Sequence, residues 1–243
     1  MNRTGMAAAS IGFVCLAAAC GTEAKGGGGD GPTLGPAHLD PSRFVRTIDN
    51  PYLPLKPGTT WEYAVTSSDG NERVVVTVLD ETKVVDGVTA TVVHDKVTHP
   101  DGSLIEDTYD WFAQDEAGTV WYLGEATKAY ESGGKVSTKG SWEAGVAGAR
   151  AGRMMLAHPK VGAKYQQEYD KGEAEDVGEV ISIGESVSGP TGSYDGVVQT
   201  ADTTPLEPGL VEQKWYAPGV GTVQEQDVKG GDEKVTLVKV TRP

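Results

Sequence analysis

Between Thr60 and Val240 apolar residues keep returning at every second position, and that period admits little besides β-strands with one buried face. Trp61, Tyr63 and Val65 fall on one side of a strand, with Glu62 and Thr66 on the other; Val74, Val76 and Val78 repeat the pattern until Asp80 interrupts it. Turn signals recur at hairpin spacing: Ser68-Asp69-Gly70-Asn71, Asp86-Gly87, Pro100-Asp101-Gly102-Ser103, Glu116-Ala117-Gly118, Pro190-Thr191-Gly192, Pro218-Gly219-Val220-Gly221 and Lys229-Gly230-Gly231-Asp232. Each joins a glycine, which tolerates positive φ, to a turn-favouring neighbour. Val/Thr/aromatic runs lie between them at 88–97, 109–113, 120–123, 177–183 and 235–240. The expectation is a mainly β protein: one antiparallel meander domain of about ten to twelve strands in a strongly bent sheet, closing as a half-barrel, barrel or sandwich. Helix is scarce. The Ala-rich stretch from Trp142 to Ala157 is broken by Gly145, Gly148 and Gly152, which predicts a loop with one helical turn near Met154. The Pro-punctuated segment from Asp49 to Gly58 is expected to run extended across a surface.

The first residues carry an address. Arg3 precedes an uncharged, mostly apolar run from Met6 to Ala19, too short to span a bilayer but suited to a signal peptide. Leu16-Ala17-Ala18-Ala19-Cys20-Gly21 resembles the lipobox of bacterial lipoproteins, with Ala17 where that family usually has Leu. The resemblance implies cleavage before Cys20, attachment of diacylglycerol to its thiol and often acylation of the new amine, with palmitate-type chains holding the protein to a membrane; ordinary secretion with cleavage near Ala19 is the alternative. Cys15 and Cys20 are the two cysteines, so the mature chain has no disulfide framework and no cysteine-based metal site. Residues 21–36 form a Gly-rich tether that behaves as flexible coil. The organisation expected is therefore a signal peptide at 1–19, a lipidated Cys20 and tether at 20–36, and a β domain at 37–243.

Within that domain the chain resembles itself. An offset of 104 residues carries Gly58 to Gly162, Trp61 to Tyr165, Val76 to Val180, Val93 to Val197 and Trp111-Phe112 to Trp215-Tyr216. Two repeated halves, 54–134 and 159–243, joined by a linker near Lys135 to Pro159, are one reading; two unrelated meanders that match cheaply are the other.

Candidate chemistry is thin. Of the four histidines (His38, His94, His99, His158), His94 and His99 share a strand at an odd interval and face opposite ways, and no zinc or triad spacing exists. The chain has 35 Asp+Glu against 21 Lys+Arg, a formal charge of -14, so adjacent acids such as Glu106-Asp107, Asp110, Asp115-Glu116, Glu173, Glu175-Asp176, Glu225 and Asp227 read as a solvated face. The same charge excludes a nucleic-acid partner, which needs a clustered basic surface. No metal or cofactor is implied.

Aromatic residues are the remaining lead. Trp61, Tyr63, Tyr109, Trp111, Trp121, Tyr165, Tyr169 and Trp215 occupy odd positions on expected strands. They either fill the core or line a concave sheet that accepts an apolar small molecule. An exported, acidic, β-rich, lipid-anchored chain of this size resembles the LolA/LppX lipoprotein carriers in architecture, which implies a half-barrel of about eleven strands covered by short helices and enclosing lipid. Three functional readings follow: a non-catalytic, lipid-anchored extracytoplasmic lipoprotein that binds an apolar ligand; an envelope structural or protein-interaction lipoprotein without one; and a hydrolase using surface-cleft carboxylates.

Overall fold

The computed structural model describes residues 32–243; the leader, Cys20 and the tether through residue 31 lie outside the described residues. After the two-residue β1 (Phe44–Val45), a first five-strand meander comprises β2 (Thr60–Ser67), β3 (Gly70–Val85), β4 (Val88–Thr98), β5 (Leu104–Asp115) and β6 (Val120–Glu131). Five short strands follow: β7 (Lys135–Ser137), β8 (Trp142–Glu143), β9 (Arg150–Met155), β10 (Lys164–Gln166) and β11 (Glu168–Tyr169). A second meander comprises β12 (Val177–Gly189), β13 (Gly192–Thr203), β14 (Val211–Ala217), β15 (Gly221–Lys229) and β16 (Lys234–Thr241). Helix among the described residues is limited to two three-residue 3-10 turns, Pro41–Arg43 and Ser132–Gly134, so no helical lid covers the sheet.

All strand pairings are antiparallel. β16 pairs with β2 and so joins the second meander to the first; the 16-stranded sheet runs β10-β12-β13-β14-β15-β16-β2-β3-β4-β5-β6-β9-β11. The ends of that path are two parts of one chain segment. Lys164–Gln166 pairs with β12 and Glu168–Tyr169 pairs with β9, with Gln167 as the joint. The sheet thus returns on itself as a nearly closed barrel, with more strands than the sequence pattern predicts because the 135–169 region also contributes them.

Two expectations about that region are corrected here. The stretch from Lys135 to Pro159 is not a linker: β7, β8 and β9 all pair with β6. Nor does a helical turn form near Met154, which lies in β9. The glycines that argue against helix serve the sheet instead. Gly145 and Gly148, at φ of 83° and 96°, turn the chain between β8 and β9. Gly152 lets β9 press against the joint, since a Cβ there would lie 1.9 Å from the Gln167 carbonyl oxygen.

One face of the pleat points inward, and register identifies it. Trp61, Tyr63 and Val65 sit opposite Val76, Val74 and Glu72 on β3, and Tyr63 and Val65 opposite Leu237 and Val235 on β16. Val76 in turn faces Asp95, and Val93 faces Asp110. Apart from Glu72, these residues are buried, most of them within a single hydrophobic cluster. The 104-residue offset carries β3, β4 and β5 onto β12, β13 and β14. The preceding turns match as well. Gly58 and Gly162 have φ of 85° and 83°; Thr59 and Ala163 donate to the carbonyls of Lys56 and Lys160, and Val78 and Val180 donate to those of Thr59 and Ala163.

The Asp49–Gly58 segment runs over the surface with Asp49, Pro51, Lys56, Pro57 and Gly58 exposed, but it turns Asn50 and Leu55 inward and so plugs one end of the barrel. Gln114 Oε1 accepts from the Asp49 and Asn50 amides at 2.9 and 2.8 Å, and its Nε2 donates to Asp49 Oδ1 at 2.7 Å. Asn50 Nδ2 donates to the carbonyls of Gly118 and Leu156 at 2.8 and 3.2 Å. With these polar groups satisfied, Ile48 and Leu55 can be buried in the core.

Closure at Gln167 generates a test. Gly152→Val overpacks the β9 contact and is expected to destabilise the protein by about 1 to 3 kcal/mol, measured by urea denaturation. A midpoint equal to that of the wild type would contradict the seam described here.

Candidate functional site

Beneath the plug lies a cavity of about 50 Å³. Leu53 and Leu55 of the plug close it from one side; Trp61, Tyr63, Val76, Phe112, Met154 and Tyr216 form most of its apolar wall, and Asp110 is its carboxyl group. The strands hold this end rigidly. Trp61 Nε1 donates to the Val220 carbonyl at 2.8 Å and the Tyr63 hydroxyl donates to the Thr222 carbonyl at 3.1 Å, tying β2 to the start of β15. Phe112 stacks on Tyr122 with ring centroids 5.0 Å apart. The Tyr122 hydroxyl donates to Asp110 Oδ1 at 2.8 Å. Burial pushes the Asp110 carboxyl up to about 8, against the lowering effect of that hydrogen bond, so at neutral pH it is largely a neutral acid.

Asp110 is not alone. The solvated-face expectation fails for several acids, because parity on a strand, not adjacency in sequence, decides which way a side chain points. Asp110 shares its inward face with Thr108 and Phe112; Asp95, Glu125, Glu168, Asp202, Glu212 and Glu225 are buried as well. Neighbouring acids add to the effect of burial: Asp176 and Glu125 raise Glu168, and Glu212 raises Glu225. Burial raises Glu168 and Glu225 well above the carboxylate range, and Asp176 to about 6. Trp142 Nε1 donates to Glu168 Oε2 at 2.9 Å.

Lys214 is buried among the acids of the second half. Its Nζ lies 3.1 Å from Glu212 Oε2 and 3.3 Å from Asp202 Oδ2. Burial favours the neutral amine, but Glu212, Glu225 and Asp202 together outweigh it and hold the amine's pKa well above the ordinary lysine value. Asp202 Oδ2 also accepts from Gln167 Nε2 at 3.1 Å. Asp202 Oδ1, both Glu225 oxygens, the Tyr165 hydroxyl and Thr200 Oγ1 are buried without a hydrogen-bond partner.

The eight aromatics do not converge. Trp61 and Tyr63 line the cavity. Tyr165 is buried in a smaller cluster with Val180 and Val198, on the far side of the barrel joint from the half-buried Tyr169. Trp111 lies on the face opposite Asp110 and is covered by the Lys83 ammonium, 3.3 Å from its ring centroid. Trp121 donates to Asp115 and carries the Arg153 guanidinium over its ring. Tyr109 stacks on His94, whose Nε2 lies 2.6 Å from Asp107 Oδ1. Trp215 is half-buried, next to the inward Tyr216. Sequence reasoning overlooked the plug leucines, Tyr122, Tyr216 and Lys214; the alternation of β5 and β14 was the available signal. Among the described residues no three His, Cys, Asp or Glu side chains are placed to hold a metal ion, and Cys20 lies outside them.

No family model and no curated protein matches the chain. Two solved structures are similar to it. One is a candidate exported protein with a YmcC-like fold from Bacteroides fragilis NCTC 9343, at 14% identity and a TM-score of 0.46, covering 79% of this chain and 99% of its own. The other is a candidate lipoprotein from Parabacteroides distasonis ATCC 8503, at 16% identity and a TM-score of 0.47, covering 80% and 99%.

The acid-filled interior fixes the sign of the pH dependence. Asp110 and Glu233 titrate near 8 and Asp176 near 6 in the folded state, mainly because burial disfavours their charge. Unfolded carboxyls titrate near 4, so the fold binds protons that the unfolded chain has released. Their contribution is complete below about pH 4 and is lost as pH rises through about 6 to 8. The melting temperature should therefore fall by several degrees between pH 5.5 and 8.5, and fall less in Asp110→Asn, which keeps the Tyr122 bond. A midpoint that climbs over that range would contradict the assignment.

Proposed function

We propose that the chain is a lipid-anchored extracytoplasmic lipoprotein of non-catalytic type, held to a membrane by acyl groups on Cys20, whose barrel takes up an apolar group at its plugged end. The leader, the Cys20 lipobox and the Gly-rich tether support the anchor. The observation that carries the binding reading is the cavity itself: an apolar hollow with one neutral acid, roofed by two leucines on a loop rather than by a strand. At about 50 Å³ it has room for a few water molecules, well short of the several hundred Å³ that hold a small ligand. Uptake of an acyl chain therefore requires the 49–58 loop to lift, with the Gln114 and Asn50 hydrogen bonds as its latch. The catalytic reading has less support, since the buried carboxyls at the site meet Tyr122, Trp142, Lys214 or one another.

The filled interior favours a second reading, an envelope structural or protein-interaction lipoprotein with no small-molecule ligand. One protein separates the two. Cys20→Ala should abolish membrane partitioning and release a soluble exported chain; unchanged partitioning would refute acylation. Titrating that soluble chain with a dansylated fatty acid should give saturable one-to-one fluorescence enhancement, tightened by Gln114→Ala, which frees the loop, and lost in Met154→Trp, which fills the hollow. Absence of saturable binding in both the Cys20→Ala chain and its Gln114→Ala derivative would leave the interaction reading.

A further inference from the structure

From the enclosure around Lys214 we infer that this residue and Asp202 condense to an intramolecular amide that staples β14 to β13, with Glu212 moving the protons. The inference is independent of the ligand reading above.

Position comes first. Asp202 lies opposite Glu212 in the β13–β14 ladder and Thr200 lies opposite Lys214, so Asp202 and Lys214 are diagonal neighbours on the inward face. Diagonal pairs are within reach of a long side chain. Lys214 Nζ is 3.3 Å from Asp202 Oδ2, so the amine rests against the carboxyl group whose carbon it would attack. Both groups are held: Glu212 Oε2 grips Nζ at 3.1 Å, and Gln167 Nε2 donates to Asp202 Oδ2 at 3.1 Å. Gln167 thereby marks the oxygen on which negative charge develops when the carboxyl carbon is attacked. The other oxygen, Oδ1, has no hydrogen-bond partner and is the one free to leave.

The step balances without a co-reactant. The Lys214 ammonium passes one proton to Glu212, and the nitrogen lone pair attacks Asp202 Cγ. The Cγ–Nζ bond forms and the Cγ–Oδ1 bond breaks. Oδ1 departs as water, carrying two protons that began on Nζ: the one taken up by Glu212, which lies opposite Asp202 in the ladder, and a second that Glu212 transfers as the amide forms. Glu212 ends as it began. Asp202 and Lys214 lose opposite charges together, so the net charge is unchanged.

Energetics favours the product here more than in water. The ion pair is buried, with Lys214 3% and Asp202 7% exposed, so its desolvation penalty is retained for as long as the charges persist. A neutral amide removes that penalty and offers an N–H and a C=O to a cluster where Thr200, Tyr165 and Glu225 lack partners. The enclosure also keeps out the water that would hydrolyse it. Since the two cysteines lie in the first 20 residues, a disulfide cannot perform this stapling.

Mass spectrometry of tryptic peptides from the full chain, purified from membranes in detergent, tests this directly. Linked Lys214 resists trypsin, so the expected product is a single peptide spanning 172–229, lighter than its residue sum by one water. A second digestion after Glu212 should leave its two pieces joined. Asp202→Asn would release ammonia instead and yield a linked peptide of the same mass as the wild type. Asp202→Ala should restore cleavage after Lys214, and Glu212→Gln should slow linkage after refolding. Linked peptide in any measurable fraction of the folded wild type supports the inference. Complete cleavage after Lys214 with unreduced masses overturns it, whatever the variants do.

Discussion

Everything in this protein follows from a sheet that meets itself. The segment from Lys164 to Tyr169 gives its first three residues to β12 and its last two to β9, and Gln167 makes the transfer between them. Closure leaves few unpaired strand edges, which an exported β protein must otherwise protect. It also gives each inward side chain no alternative to burial. The contact is tight because Gly152 has no side chain to hold β9 away from the Gln167 backbone.

Burial without choice explains the two unlike parts of the interior. Toward the plug, Trp61, Tyr63, Phe112 and Tyr216 nearly fill the space and leave a small hollow with Asp110 on its wall. Around β13, β14 and β15 the buried residues include Asp202, Glu212 and Glu225, and Lys214 is the ammonium among them that offsets their charge. Carboxyls kept from water remain neutral by holding protons or by pairing with that amine. The same pleat therefore sets up an apolar recess at one end and a proton-rich enclosure elsewhere. The 104-residue offset places Lys214 where the first half has Asp110, so corresponding positions of two similar meanders carry opposite formal charges.

How much of this was legible depends on which physical rule was decisive. Alternation at Trp61, Tyr63 and Val65 and at the Val74–Val78 run placed β2 and β3 and identified their buried faces, because period two is a local property. Turn glycines such as Gly87 and Gly118 marked hairpins for the same reason. Strand parity does not extend across strands, however. Trp61 and Trp111 both occupy odd positions, yet Trp61 points inward and Trp111 outward, since register and bulges reset the count between β2 and β5. Adjacent acids concealed their own burial: Asp110 resembled its charged neighbours, while its period-two partners Thr108 and Phe112 held the information. The plug was illegible because its burial depends on Gln114, 65 residues from Asp49 in the chain. β9 was hidden by glycines that read as loop but in fact permit close backbone approach.

The central claim is that the Lys164–Tyr169 segment closes the barrel over a filled, proton-holding interior. Hydrogen exchange on the purified chain near pH 6, resolved to the peptide spanning 164–169, tests it most directly. The account predicts that the Gln166 and Gln167 amides, which donate to the carbonyls of Thr33 and Asp176, exchange only with global unfolding, alongside those of β2 and β3. Rapid exchange there, with protection retained in both meanders, would mean an open sheet and contradict the account.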